Sequence, residues 1–263
     1  MAQDLSIARA YFDTINGQSA NNILTDPKLT IERDGNVQIC YAPFDHIERS
    51  ARLVIVGITP GMTQAVNALN ALHSAKLVGR SFEEALRVAK MTASFSGLMR
   101  TNLIEMLDFV GIAQLLQIDT SASLFDDKST DMHFTSALRY PVFIGGKNYT
   151  GKQPDMMKTA ILRNMIDSHL AEEAKLLPNA VWLPLGPTAD RGVSRLIELG
   201  HLNERNVLRG MPHPSKANNE RVAVFTGRKS ASLASKQTNP AKLLLAASTL
   251  KKRIAELDLG EAA

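Results

Sequence analysis

Cysteine is nearly absent from this chain, with Cys40 alone among 263 residues. It has no partner for an intramolecular disulfide, and a zinc knuckle or a cysteine-held cluster is excluded. A reducing cytoplasm fits that usage. No apolar run reaches the length needed to span a bilayer, so no membrane attachment is expected. The start, MAQDLSIARAYFDTI, carries Asp4 in an only mildly apolar stretch and lacks the cationic-then-hydrophobic pattern of a signal peptide, which again points to the cytoplasm. Internal repeats, low-complexity tracts and linkers are missing, so residues 1–263 are read as a single domain. Acidic residues are scarce toward the end: from Lys216 to Arg253, nine basic residues meet only Glu220. A basic C-terminal segment of that kind suits phosphate backbones.

What is present is enough for a sizeable core, with 44% hydrophobic residues and a net charge of +4. The central feature is RLVIVGITPG, Arg52 to Gly61. Leu53, Val54, Ile55 and Val56 form a continuous apolar run, as in a strand covered on both faces of a parallel sheet. Gly57 and Gly61 permit tight backbone and Pro60 fixes one φ, so the turn after the strand is rigid. Ligands of open α/β sheets bind just beyond such strand ends.

Residues 1–50 read as an extension packed on the domain, with a helix from Ser6 to Ile15 and a hairpin around Asp34-Gly35. After the turn, helices are expected over Thr63 to Ala75 and Ser81 to Lys90, the second opened by a Ser81–Glu84 capping box. Met99, Leu103, Met106, Leu107 and Val110 mark a third helix that ends at Gly111. His133 to Leu138 is the second strand, followed by a loop from Arg139 to Asp155. Within it GKNYTGK, Gly146 to Lys152, has P-loop spacing. Gln153 stands where Ser or Thr would hold Mg²⁺, and Pro154 interrupts the helix that would follow, which argues against a nucleotide-triphosphatase loop. Leu162 to Leu170 is a helix whose His169 reads as an interface histidine. Ala180 to Gly186 is the third strand, Pro187 to Leu199 a helix, and Asn206 to Met211 the fourth strand, running into Pro212-His213-Pro214-Ser215. A last helix carries Leu243, Ala247, Leu250 and Ile254 on one side. Strands separated by helices imply a three-layer α/β/α sandwich around a four-stranded, mainly parallel sheet. Thr59, Ser136 and His213 then share one edge of it.

These residues carry a resemblance. GITPG at Gly57 to Gly61 is similar to the first motif of the mismatch-specific branch of the uracil-DNA glycosylase superfamily, and His213-Pro214-Ser215 looks like its second motif. Phe95-Ser96-Gly97 with the following helix resembles the segment bearing the base-stacking aromatic, and VWLPLG at Val181 to Gly186 the third strand. The resemblance implies a monofunctional DNA glycosylase, with no lysine nucleophile and no cofactor, acting as a monomer on double- or single-stranded DNA in repair or antiviral defence. The flipped base would lie against Gly57, Ile58, Pro60, Gly61 and Phe95. His213 would stabilise the departing base, and Pro214, Ser215, Lys216, Asn218, Arg228 and Lys229 would meet DNA. Ala217, in the loop that family members insert into the duplex, is a small wedge.

Three departures shift the expectation. Thr59 stands where the mismatch-specific branch has Asn and other branches Asp or Glu; a hydroxyl positions water but is a poor proton acceptor, which brings in Asp45 as an assisting carboxylate. Ser136 takes the place of a base-reading Asn, for which Asn102 or Asn148 could substitute. Gly61 replaces the tyrosine that blocks C5 substituents in the uracil-selective branch. The implied substrate is a 5-modified pyrimidine such as a phage hypermodified cytosine, or uracil. The alternative is a catalytically silent member that binds modified or single-stranded DNA as a sensor.

Overall fold

The computed structural model describes residues 2–257 apart from Ser96 and Asp127. Its central strand β3 is Leu53–Gly57, buried at every position. It is flanked by β4, Met132–Ser136, and β7, Val181–Pro184, both parallel to it, in the order β4-β3-β7. Side-chain alternation divides the interior in two. Val54, Val56 and Trp182 enter one core, whereas Leu53, Ile55, Phe134 and Leu183 enter the other. Burial of each of these aliphatic side chains stabilises the sheet by about 1.5–3 kcal/mol, which is why the run had to be apolar on both sides.

Helices cover both faces. The first core is closed by α1 (Ser6–Phe12), α2 (Met62–Leu77) and α3 (Phe82–Ala93), and by residues of later helices described below. Ser81 caps α3 as expected, its hydroxyl accepting from the Glu84 N–H at 3.2 Å. The second core receives Leu103, Met106, Leu107 and Val110 of α4 (Leu98–Val110), which ends at Gly111 with φ 99°, and continues into α5 (Ile112–Leu116). On the first face follow α6 (Ala160–Met165), one π turn and α7 (Ala171–Leu176), then α8 (Gly186–Glu198). His169, in the π turn, meets the Tyr140 ring edge-on at 5.2 Å, a packing role. On the second face lie α9 (Asn219–Phe225), which sequence periodicity did not reveal, and α10 (Pro240–Ala255), which buries Ala247, Leu250 and Ile254. No helix among the described residues is long and apolar enough to cross a membrane.

Two expectations about strands are corrected. The segment Asn206 to Met211 is not a fourth strand: only Val207 bridges, in parallel, to Trp182. The Leu208 N–H donates to the Trp182 carbonyl and the Gly186 N–H to that of Met211, both at 2.8 Å, so the segment runs beside β7. Gly210, at φ 103°, breaks the extended backbone between those bonds. The supposed loop after β4, in turn, holds β5 (Val142–Ile144) and β6 (Lys147–Asn148). They join the N-terminal hairpin, β1 (Thr30–Asp34) and β2 (Val37–Cys40), in an antiparallel sheet ordered β1-β2-β5-β6. Gly145 and Gly146, at φ 54° and 78°, make the tight β5–β6 turn that only a left-handed pair allows.

Candidate functional site

The carboxyl ends of β3 and β4 and the start of α8 open into a cleft of about 700 Å³. Gly57, Ile58, Thr59, Pro60, Gly61, Phe95, Ser136, His213, Ser215 and Asn218 line it, so residues 156 positions apart in sequence do share one edge (213 − 57). Residues Asn148 to Thr150 and Lys152 form another part of the lining. That wall comes from the antiparallel sheet and the segment leaving it, which the sequence reading treated as loop.

The GITPG turn is held rigidly, but not by the means expected. The Thr59 hydroxyl donates to the Tyr140 carbonyl at 3.0 Å and accepts from the Val142 N–H at 3.2 Å. Its proton is committed to the backbone, so the hydroxyl ties the turn to β5 and keeps one free lone pair at the cleft. A Cβ at Gly57 would lie 3.2 Å from Ser136 Oγ, so that a larger residue would push the serine side chain aside, and 3.6 Å from Phe95 Cζ, an ordinary contact, at the cleft floor. Beside Gly61, the space that a tyrosine would fill is bounded by the carboxamide of Asn148, with Nδ2 3.4 Å from where a Cβ would stand. Asn148 Oδ1 accepts from the Met62 N–H at 2.9 Å, which caps α2 and leaves Nδ2 as a donor beside Gly61.

Phe95 sits in a left-handed backbone conformation, φ 46°, while its ring packs 5.5 Å from that of Phe134. A non-glycine residue at such φ costs about 1–3 kcal/mol and is retained where the ring has a task in that position. Gly97 follows with φ 63° and ψ −138°, accessible only to glycine, and opens α4. Ser96 between them lies outside the described residues.

His213 is the most informative side chain. Burial lowers its pKa, so the imidazole is neutral near pH 7. The Ser215 N–H donates to Nδ1 at 3.2 Å, which leaves the proton on Nε2. The result is a neutral N–H donor in the cleft. Asn102, considered as a base reader, is buried behind this loop instead: Nδ2 donates to the Pro214 carbonyl at 2.9 Å and to Asn219 Oδ1 at 2.8 Å. It clamps the histidine loop against α4 and does not line the cleft.

Asp45 is likewise corrected. It is 1% exposed, and Tyr41 and Tyr140 donate their hydroxyls to it at 3.0 and 2.5 Å. Burial raises its pKa even against those hydrogen bonds. It belongs to a buried polar network with Lys90, Arg139, Glu173 and His133, where Arg139 Nε donates to Glu173 Oε1 at 2.9 Å. Among the described residues no Asp or Glu lines the cleft. Of the expected DNA contacts, Ser215 and Asn218 line it, Lys216 is exposed outside the lining, and Pro214 is buried. Arg228 pairs with Glu105 and Lys229 with Glu220, each at 2.5 Å, so both cations are engaged elsewhere. The sequence reading missed Lys152 and Arg221, which do line the cleft, and Thr135, 7% exposed, whose Oγ1 is buried beside the cleft without a hydrogen-bond partner. Lys152 lay in view within GKNYTGK; nothing in the local pattern singled out Thr135. Nor do three His, Cys, Asp or Glu side chains among the described residues come together as a metal-holding group.

Fold and site together define a mixed α/β protein with a donor-rich cleft, free of carboxylates among the described residues, at the carboxyl edge of its parallel sheet. The chain belongs to the family of the uncharacterized protein YoxB of Bacillus subtilis (strain 168), with 37% identity over 211 residues that make up 80% of this chain and 82% of that protein. Comparison with models of protein families and with solved structures found no match.

Proposed function

We propose that the protein is a monofunctional DNA glycosylase of the uracil-DNA glycosylase superfamily. Its substrate is a flipped-out pyrimidine, 5-modified (a phage hypermodified cytosine, in a defence role) or uracil, and its product an abasic site. The observation that carries this reading is His213: a neutral imidazole, fixed as the Nε2–H tautomer, in the same cleft as the ring of Phe95, whose backbone is left-handed. When the C1′–N bond breaks, its electron pair moves into the base and charge gathers on a carbonyl oxygen. A preorganised donor there stabilises departure without transferring a proton. Water then adds to C1′, and its proton passes to solvent or to the base anion. That route asks for no carboxylate. Helices on both faces of the parallel sheet, with Val207 bridged in a fourth position, support the sandwich architecture of the superfamily. The room at Gly61, bounded by a polar amide rather than a ring, supports a polar C5 substituent.

A second reading, a silent sensor of modified or single-stranded DNA, is favoured by the commitment of Thr59 to the backbone and the lack of any cleft carboxylate among the described residues. One experiment separates the two. Base release is measured from DNAs containing uracil, mismatched thymine, 5-hydroxymethylcytosine and its glucosylated form, with wild type and His213→Ala. Alkali-sensitive sites on one substrate, lost in the variant, are expected; binding without release from any of them selects the sensor.

A further inference from the structure

The cleft has a charge imbalance that the histidine and the stacking ring leave unused. Three cations line it, Arg139, Lys152 and Arg221, against no acidic residue among those described. Arg139 is neutralised within the fold: its guanidinium donates to Glu172 and Glu173 and to the His169 carbonyl. The other two are not. No carboxylate pairs with Lys152 or Arg221 among the described residues, and both side chains are exposed. This contrasts with Arg228 and Lys229, each engaged by a glutamate.

Both cations are also held in place. Lys152 follows Gly151, whose φ of 80° is left-handed and where an added Cβ would lie 2.3 Å from Thr188 Cγ2 of α8. Glycine is thus required for the segment to press against α8, which fixes the point from which Lys152 reaches into the cleft. On the N-terminal side the buried Tyr149 anchors the same segment, donating its hydroxyl to the Pro154 carbonyl at 2.6 Å. Arg221 stands at the end of a relay that begins at the histidine. The Ser215 N–H donates to His213 Nδ1 at 3.2 Å, Asn218 Nδ2 to Ser215 Oγ at 3.1 Å, and Arg221 Nη1 to Asn218 Oδ1 at 2.7 Å. A neutral amide oxygen orients the guanidinium without cancelling its charge.

We propose that Lys152 and Arg221 form a phosphate clamp, one cation from the segment after β6 and one from α9, that holds the backbone of the nucleotide whose base enters the cleft. The assignment rests on the nucleic-acid reading of the site. Cations that border a cleft lined by no carboxylate among the described residues gain most from an anion, and a phosphodiester supplies one on each side of a flipped nucleotide. Clamping both would resist the duplex's pull on the extruded base.

The test is the salt dependence of duplex binding by the full chain, for wild type, Lys152→Gln/Arg221→Gln and Arg228→Gln/Lys229→Gln, with thermal unfolding to verify the fold of each. The slope of log K against log salt is expected to fall by about two in the first double variant, since each lost phosphate contact removes about 0.9. The second double variant keeps the wild-type slope. An unchanged slope in the first variant overturns the clamp, as does an equal loss in both. A titration with a nucleoside monophosphate distinguishes a free nucleotide from the DNA backbone: affinity for it abolished in the first variant, with no duplex binding by wild type, assigns the clamp to free nucleotides and rejects the backbone. Base release is scored separately, so a slope that falls by two with no release from any substrate retains the clamp and rejects the glycosylase.

Discussion

Replacement of Thr59 by valine isolates a motif residue that the structure ties to the backbone. Valine keeps the shape and removes the hydroxyl. The Tyr140 carbonyl then loses its donor and the Val142 N–H its acceptor. Tyr140 and Val142 are at most 1% exposed, so water replaces these bonds poorly. At the low end of the roughly 1–3 kcal/mol an unsatisfied buried group costs, the two together lose about 2 kcal/mol. With a urea slope of about 3 kcal/mol per molar for a chain of this size, the unfolding midpoint drops by about 0.7 M. Activity follows a different course. Because the hydroxyl proton is committed to the backbone, base release below the transition stays within about threefold of wild type. Urea unfolding and single-turnover base release check the two halves. An unchanged midpoint with a loss of about a hundredfold in rate, the size of a missing acid or base, would refute this reasoning and return Thr59 to the chemistry.

Two further outcomes follow from the polar interior. Asn102→Ala leaves the Pro214 carbonyl and Asn219 without their buried donor and costs about 1–3 kcal/mol by denaturant unfolding. Because the loop it frees carries His213, the rate of base release falls more than duplex affinity does, read by single-turnover kinetics against equilibrium binding. Stability should also fall in acid: burial holds His133 and His169 near pKa values of about 4, below the ordinary 6.5. The unfolded chain therefore binds more protons between these values, and stability, complete above pH 6.5, is lost as pH falls toward 4. Thermal unfolding across that range checks it, and His133→Gln should shrink the drop.

The sequence was most legible where one physical signal was strong. The apolar run Leu53 to Val56 defined β3, and Ser81 and Gly111 marked helix ends where the backbone turns. The shared edge of Thr59 and Ser136 followed from strand order, and His213 joins them in the cleft although the segment before it is not a strand. Legibility failed where elements were short or their meaning was spatial. Strands of three and two residues, β5 and β6, show no periodicity. Gly210 was invisible as a strand breaker because an extended reading tolerates one glycine, whereas its φ of 103° does not. Asp45 and Asn102 carried the right chemistry at the right distance along the chain, yet both point into the interior. Nearness in sequence says little about which face of an element a side chain takes.

The wall formed by residues 148–152 has a consequence for how this family can vary. The GITPG turn and Ser136 stand at the end of the parallel sheet, whereas that wall hangs from a separate sheet begun by the N-terminal hairpin. Its glycine turn at 145–146 is open to solvent, and no heavy atom outside the adjoining residues lies within 4 Å of a Cβ added at either position. Lengthening or shortening that turn would re-gauge the cleft while leaving the carboxyl edge of the parallel sheet alone. Relatives could thus change the width of the cleft by editing a hairpin, with selection on that width and selection on the GITPG edge acting on different stretches of the chain.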